Sequence, residues 1–151
     1  MTGFMSKVVG ADAIYEGGIK AHTDLENGMF VVVDYANGVT AFIPSEMTAP
    51  TIMMTVVEKF KMWGMDALRL SVNANVSGGN YFVEKVNPGT APEYDDTDII
   101  TKAGEFARLH APLIGEEMII TLDDGELYES LTVGTLVKPA PGENGTIQKV
   151  G

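Results

Sequence analysis

An all-β fold is what this sequence predicts: a compact β-sandwich or β-barrel, with room for a minor α element and with an extended N-terminal arm. Three observations carry that expectation. Short apolar segments recur at intervals of roughly 8–12 residues, separated by turn residues, the spacing of sandwiches and barrels. Two Asn-Gly pairs, Asn27-Gly28 and Asn37-Gly38, flank β-branched runs, and Asn-Gly readily takes the positive φ of tight turns. Helical periodicity with both caps in place is scarce along the chain.

The elements follow in order. Residues 1–16 mix small and apolar types; Phe4, Met5, Val8, Val9, Ile14 and Tyr15 would be poorly used on a free tail. The segment reads as an extended arm that packs on its own body or on a partner, against the ordinary alternative of a disordered terminus. Residues 17–151 read as a single β-rich domain. Ile19–Thr23 alternates as a short strand. Met29–Val33 is a continuous apolar run, typical of a buried strand, and Val39–Ile43 returns after Asn37-Gly38 as its hairpin partner until Pro44 stops it. Residues 50–65 are mixed. Ile52, Met53, Val56, Val57 and Phe60 recur at helical spacing, yet Thr51, Thr55, Val56 and Val57 favour strand. Ala67–Val72 and Tyr81–Val86 alternate as strands, with a loop over residues 73–80. Residues 87–98 hold Pro88, Pro92 and four acids and predict a long exposed loop. Gly104–Leu113, Met118–Leu122 and Leu131–Val137 predict strands, with a turn at Asp123-Asp124-Gly125. Ile147–Val150 predicts an edge strand after a loop-like stretch.

The totals narrow the function classes. A chain of 151 residues fits one domain and buries roughly two thirds of its unfolded surface. Hydrophobic residues make up 45%, too many for disorder. There is no cysteine, hence no disulfide and no thiolate metal site. Met1–Gly10 lacks the apolar core of a signal peptide, and no run approaches the roughly 20 residues that cross a bilayer as a helix. The net charge of −11 repels phosphate backbones and anionic membranes, so neither nucleic acid nor membrane is an expected partner. It also keeps copies apart in solution and complements a basic protein surface.

His22 and His110 sit in strand-like, alanine-flanked contexts and read as half-buried or surface histidines. A barrel enzyme would need both to converge with a carboxylate in a cavity. Asp95-Asp96-x-Asp98 and Asp123-Asp124-x-Glu126 are able to offer oxygens to calcium, but neither has the offsets of an EF-hand loop, and solvated turns are the plainer reading. Ser77-Gly78-Gly79-Asn80 lacks the lysine and helix of a phosphate loop. Lys59, Lys61 and Arg69 form a loose basic group without interleaved aromatics. The expectation is no enzyme, no catalytic residue, no metal and no cofactor.

Residues 92–137 carry a resemblance. Tyr94-Asp95-Asp96, then Ala103-Gly104 with Ala107-Arg108, then Gly115-Glu116-Glu117-Met118-Ile119-Ile120-Thr121, then Val133-Gly134 follow one another as in a group of small head proteins of tailed bacteriophages. Upstream, Asp24-Leu25-Glu26-Asn27-Gly28 resembles that group's acidic Asn-Gly turn. The resemblance covers about two thirds of the chain through short motifs, mostly of structural type. Gly115-Glu116 stands where the group has Gly-Asp, and residues 1–16 match nothing in it. These proteins are encoded near the major capsid protein and are thought to decorate or cement the head. The resemblance implies that residues 50–65 are extended. It implies a structural virion protein on the capsid surface, made in the host bacterial cytoplasm. Its partner would be the major capsid protein, with a homo-oligomer, such as a trimer, also in view. A protein that binds only the expanded shell stabilises it by mass action, and many modest contacts add up.

The residues expected to bind a partner follow from composition. Phe4, Met5, Val8, Val9 and Tyr15 are apolar anchors of the arm. Arg108, at the matching place in the group, and the acidic loop with Glu93, Asp95 and Asp96 come second; arginine is enriched at interfaces. The alternative from another class is a carbohydrate- or host-binding β module of a phage tail or fibre. It requires an exposed aromatic platform, for which Trp63, Tyr81 and Tyr128 are the candidates.

Overall fold

A computed structural model describes residues 4–7, 14–16, 18–26, 28–44, 52–62, 64–75, 81–83, 100–107, 109–112, 114–141 and 145–150. The elements are β1 (Phe4–Lys7), β2 (Ile14–Glu16), β3 (Leu25–Glu26), β4 (Phe30–Asp34), β5 (Val39–Ala41), β6 (Ile52–Met62), β7 (Met65–Asn75), β8 (Tyr81–Val83), β9 (Ile100–Thr101), β10 (Leu109–Ala111), β11 (Glu117–Leu122), α1 (Gly125–Ser130), β12 (Leu136–Pro139) and β13 (Ile147–Lys149). The fold is all-β, with one short helix among the described residues, as the sequence predicts. A six-stranded sheet runs β1-β11-β7-β6-β12-β13, a five-stranded sheet runs β2-β10-β8-β4-β5, and β3 pairs with β9.

The long β6–β7 hairpin is the backbone of the larger sheet. Along β7, Leu68, Leu70 and Val72 are buried while Arg69 and Ser71 stay partly exposed, the period-two pattern of a sheet with one covered face. Ile52, Met54 and Val56 of β6 and Met118, Ile120 and Leu122 of β11 join them in one core with Phe30, Ile43, Tyr128, Leu131, Val137 and Ile147. Residues 52–60 carry both a helical and a strand signature, and the structure resolves the ambiguity as strand. The register slips between Val56 and Glu58, so Val57 is the extra residue of a β-bulge. Past it, the inward positions shift from even to odd numbers, and Lys59 stands opposite Leu68.

β4 divides two cores. Phe30 is in the first, with Val32 packed against it. Val31 lies in a second cluster with Ile19, Ala21, Leu25, Ala107 and Leu109, against which Met29, Val33 and Phe42 pack. A strand covered on both faces needs apolar residues at every position, and Met29–Val33 supplies them.

The second core reshapes two expected strands. Ile19–Thr23 is a single bridging line rather than a regular strand. Lys20 donates its N–H to the Gly38 carbonyl at 3.0 Å and accepts from the Thr40 N–H at 2.9 Å, while Ala21 donates to Glu105 at 2.9 Å and Ala107 donates to Ile19 at 2.9 Å. Gly104–Leu113 is correspondingly not one strand. Its first half turns, with Glu105 N–H bonded to the Lys102 carbonyl at 3.0 Å, and only Leu109–Ala111 enters the sheet. Leu131–Val137 likewise starts as a turn, and its strand begins at Leu136.

Asn37-Gly38 does join β4 to β5. Asp34 pairs with Val39, Gly38 has φ of 66°, and its N–H donates to the Asp34 carbonyl at 2.9 Å. The Asn37 side chain donates to the Asp34 carboxylate at 2.8 Å, and this bond holds that carboxyl below its usual range. The segment 1–16 is extended where described. β1 lines the edge of the larger sheet against β11, and β2 lines the edge of the smaller one against β10.

One contact ties the two sheets at a corner. Phe30 N–H donates to the Gly145 carbonyl at 2.8 Å. Gly145 has φ of +58°, and a Cβ there would lie 2.8 Å from Met29 Cβ and 3.2 Å from Phe30 N. Gly145→Ala is therefore expected to cost about 2 kcal/mol, from left-handed strain and the clash together. Gly125 has open space around its Cβ position and opens α1, so Gly125→Ala is expected to add about 0.5–1 kcal/mol. Urea unfolding of the two variants should shift the midpoint in opposite directions.

Candidate functional surface

The groups able to do chemistry are used structurally where they are described. His22 Nδ1 lies 2.6 Å from Thr40 Oγ1, the His22 N–H donates to the same oxygen at 3.1 Å, and the imidazole and Phe42 rings stand nearly perpendicular with centroids 4.7 Å apart. Partial burial pulls the imidazole below its usual 6.5. His110 lies in β10, in register with Tyr15 and Phe82. Asp124, one of the acids weighed as a calcium ligand, caps α1: its Oδ1 accepts from the Glu126 N–H at 3.0 Å and the Leu127 N–H at 3.1 Å. An N-cap carboxylate satisfies amides that the helix leaves unpaired. Among the described residues no group of three or more His, Asp or Glu side chains is placed to hold a metal ion.

The loose basic group resolves into two separate arrangements. The bulge at Val57 brings Lys59 to the core end of the sheet, where its Nζ donates to the Leu131 carbonyl at 2.8 Å. The same ammonium sits 4.3 Å from the Tyr128 ring centroid, and Lys61 lies 5.9 Å from it while bonding Asp66. Tyr128 is 8% exposed and donates its hydroxyl to the Phe60 carbonyl at 3.3 Å. Tyr128 is thus removed from the candidate aromatic platform: its face is covered by lysines, an attraction of the cation–π kind. Arg69 belongs to the opposite face, opposite Glu58 in the ladder and 3.6 Å from Glu117.

The expected partner-binding residues divide as follows. Phe4 and Met5 lie on β1 and Tyr15 on β2, so three of them occupy sheet edges. Val8, Val9, Glu93, Asp95, Asp96 and Arg108, with Trp63 of the aromatic candidates, lie outside the described residues. Tyr81 lies on β8, between β10 and β4 in the smaller sheet. The most exposed large apolar residues described are ones that periodicity did not single out: Tyr35, Phe106, Ile114, Val133 and Leu136. Phe106 falls within the strand predicted over Gly104–Leu113. It stands at the surface because the chain turns at 103–105, and Lys20 Nζ lies 5.5 Å from its ring. Val133 stands in the turn that docks on the bulge, where Gly134 N–H donates to Val56 at 2.8 Å.

Replacing Lys59 by Met keeps the stem over Tyr128 and removes the donor to Leu131. Thermal or urea unfolding is expected to show a loss of about 1–2 kcal/mol, the cost of a part-buried carbonyl left without its partner. Among the described residues no helix is long and apolar enough to cross a membrane. No family model, curated protein or solved structure matches this chain.

Proposed function

We propose that this protein is a structural component of a tailed-bacteriophage virion that decorates the head by binding major capsid protein subunits. One observation supports the reading above others: the N-terminal segment supplies the terminal strand of both sheets, β1 of the larger and β2 of the smaller. A terminal strand pairs on one side and offers its other row of peptide groups to a partner's chain. Binding of that kind needs no catalytic group and works with an acidic body facing a basic one. The order of motifs between residues 92 and 137 points the same way. The decorated shell is stabilised because occupancy favours whichever capsid form presents the acceptor.

Sedimentation with immature and with expanded capsids tests this. The protein is expected to cosediment with at least the expanded form, and pelleting with neither rejects the proposal. Removal of residues 1–7 is expected to weaken capsid binding by about tenfold or more. β11 then becomes the sheet edge, so far-ultraviolet circular dichroism should keep its β signature.

A further inference from the structure

We propose that His22 and Thr40 form a pH-sensitive latch, which holds residues 18–23 against the outer edge of β5 while the imidazole is neutral and releases them when it is protonated. The latch lies where the backbone pairing runs out. Residue 20 is bonded to the β4–β5 hairpin by its own N–H and carbonyl, and two residues on the Thr40 side chain takes over as partner for the His22 N–H at 3.1 Å. The Thr40 oxygen thus accepts one bond. Its own proton has one destination among the described residues, Nδ1 of His22 at 2.6 Å. That assignment places the ring proton on Nε2, because a neutral imidazole has one donor and one acceptor nitrogen.

Protonation reverses the polarity of this bond. Nδ1 becomes a donor, two N–H groups then aim at one hydroxyl oxygen, and the hydroxyl proton loses its acceptor. Thr40 is 1% exposed, so water does not replace the lost partner, and an unsatisfied buried donor is costly. The charged neighbours come from two elements. The latch segment itself carries Lys20 and Asp24. The 100–107 segment carries Lys102, 3.8 Å from Asp24, and Glu105, which accepts from the Lys102 N–H at 2.7 Å. β5 contributes no charged residue. His22 is the one histidine in this set.

The direction of the pH dependence follows from linkage. The native imidazole is depressed below its usual 6.5 by burial, so the opened form binds the proton more readily. The latch is at full strength above that value and weakens as pH falls below it. Opening frees the edge of β5 and loosens the wall of the second core, to which Ile19 and Ala21 belong.

Amide hydrogen exchange on the full chain tests the latch. Between about pH 7.5 and about pH 5.5, protection factors of the Lys20 and Thr40 amides are expected to fall about threefold or more. Leu70 in the first core should keep its protection. His22→Asn, which retains an acceptor for the hydroxyl but does not titrate, should hold Lys20 and Thr40 protection level, whereas His110→Gln should leave the fall intact. In the unmodified chain, the His22 Hε1 resonance should titrate with a midpoint below that of a free histidine. Equal pH dependence in the unmodified chain and His22→Asn, or a His22 midpoint at or above the free value, overturns the proposal.

Discussion

The structure depends on one strand that packs apolar side chains on both sides. β4 gives Phe30 and Val32 to the core beneath the six-stranded sheet and Val31 and Val33 to the second core. Burial stabilises at about 25 cal/mol per Å² of apolar surface, and here one five-residue strand collects it twice. Everything else is arranged to cover β4. The β6–β7 hairpin and β11 close one face. Ile19, Ala21, Leu25, Ala107 and Leu109 close the other. The Gly145 carbonyl takes the Phe30 N–H at the corner. Phe30 and Val31, its two fully buried residues, face one core each, so β4 joins the two cores directly.

Legibility followed periodicity. Met29–Val33 could be read because five consecutive apolar residues fit a doubly buried strand and are too short for a helix. Asn37-Gly38 could be read because its turn chemistry is local. Residues 52–60 carried two signals at once, and the reason is now physical. Ile52, Met54 and Val56 face the core, the bulge at Val57 shifts the frame, and the composite spacing imitates three- and four-residue repeats. The six residues of α1 were invisible as a helix. Its cap, Asp124, is also a turn former, and one turn and a half is too short for a period to show. The breaks at residues 19–23 and 104–107 come from tertiary pairing of one segment with two neighbours at once, which no local pattern encodes.

The candidate surface was less legible than the fold. Phe4, Met5 and Tyr15 were singled out because apolar residues on an arm lack a use in water, and the structure sets their backbones on sheet edges. Phe106, Ile114 and Val133 were not singled out, since their exposure follows from turns at 103–105, 114–115 and 133–134 rather than from composition. Tyr128 went the other way. It is a candidate for the aromatic platform of a binding module, but the displaced frame beyond Val57 brings Lys59 to its ring. A single inserted residue in β6 thus decides the fate of a side chain on a different element.

The order of the larger sheet has a mechanical corollary. β1 and β13 are its outermost strands, and each successive pair between them is antiparallel. Five alternations leave the first and last strands pointing in opposite directions, so the start of β1 and the end of β13 emerge at the same rim. With strands spaced about 4.8 Å apart, these two exits are separated by about 24 Å. Tension between them is directed across the strands and peels the ladder one bond at a time instead of shearing it. Tethers attached at both ends would anchor the body by the rim that carries the β6–β7 turn at Gly64 and leave the opposite rim facing outward.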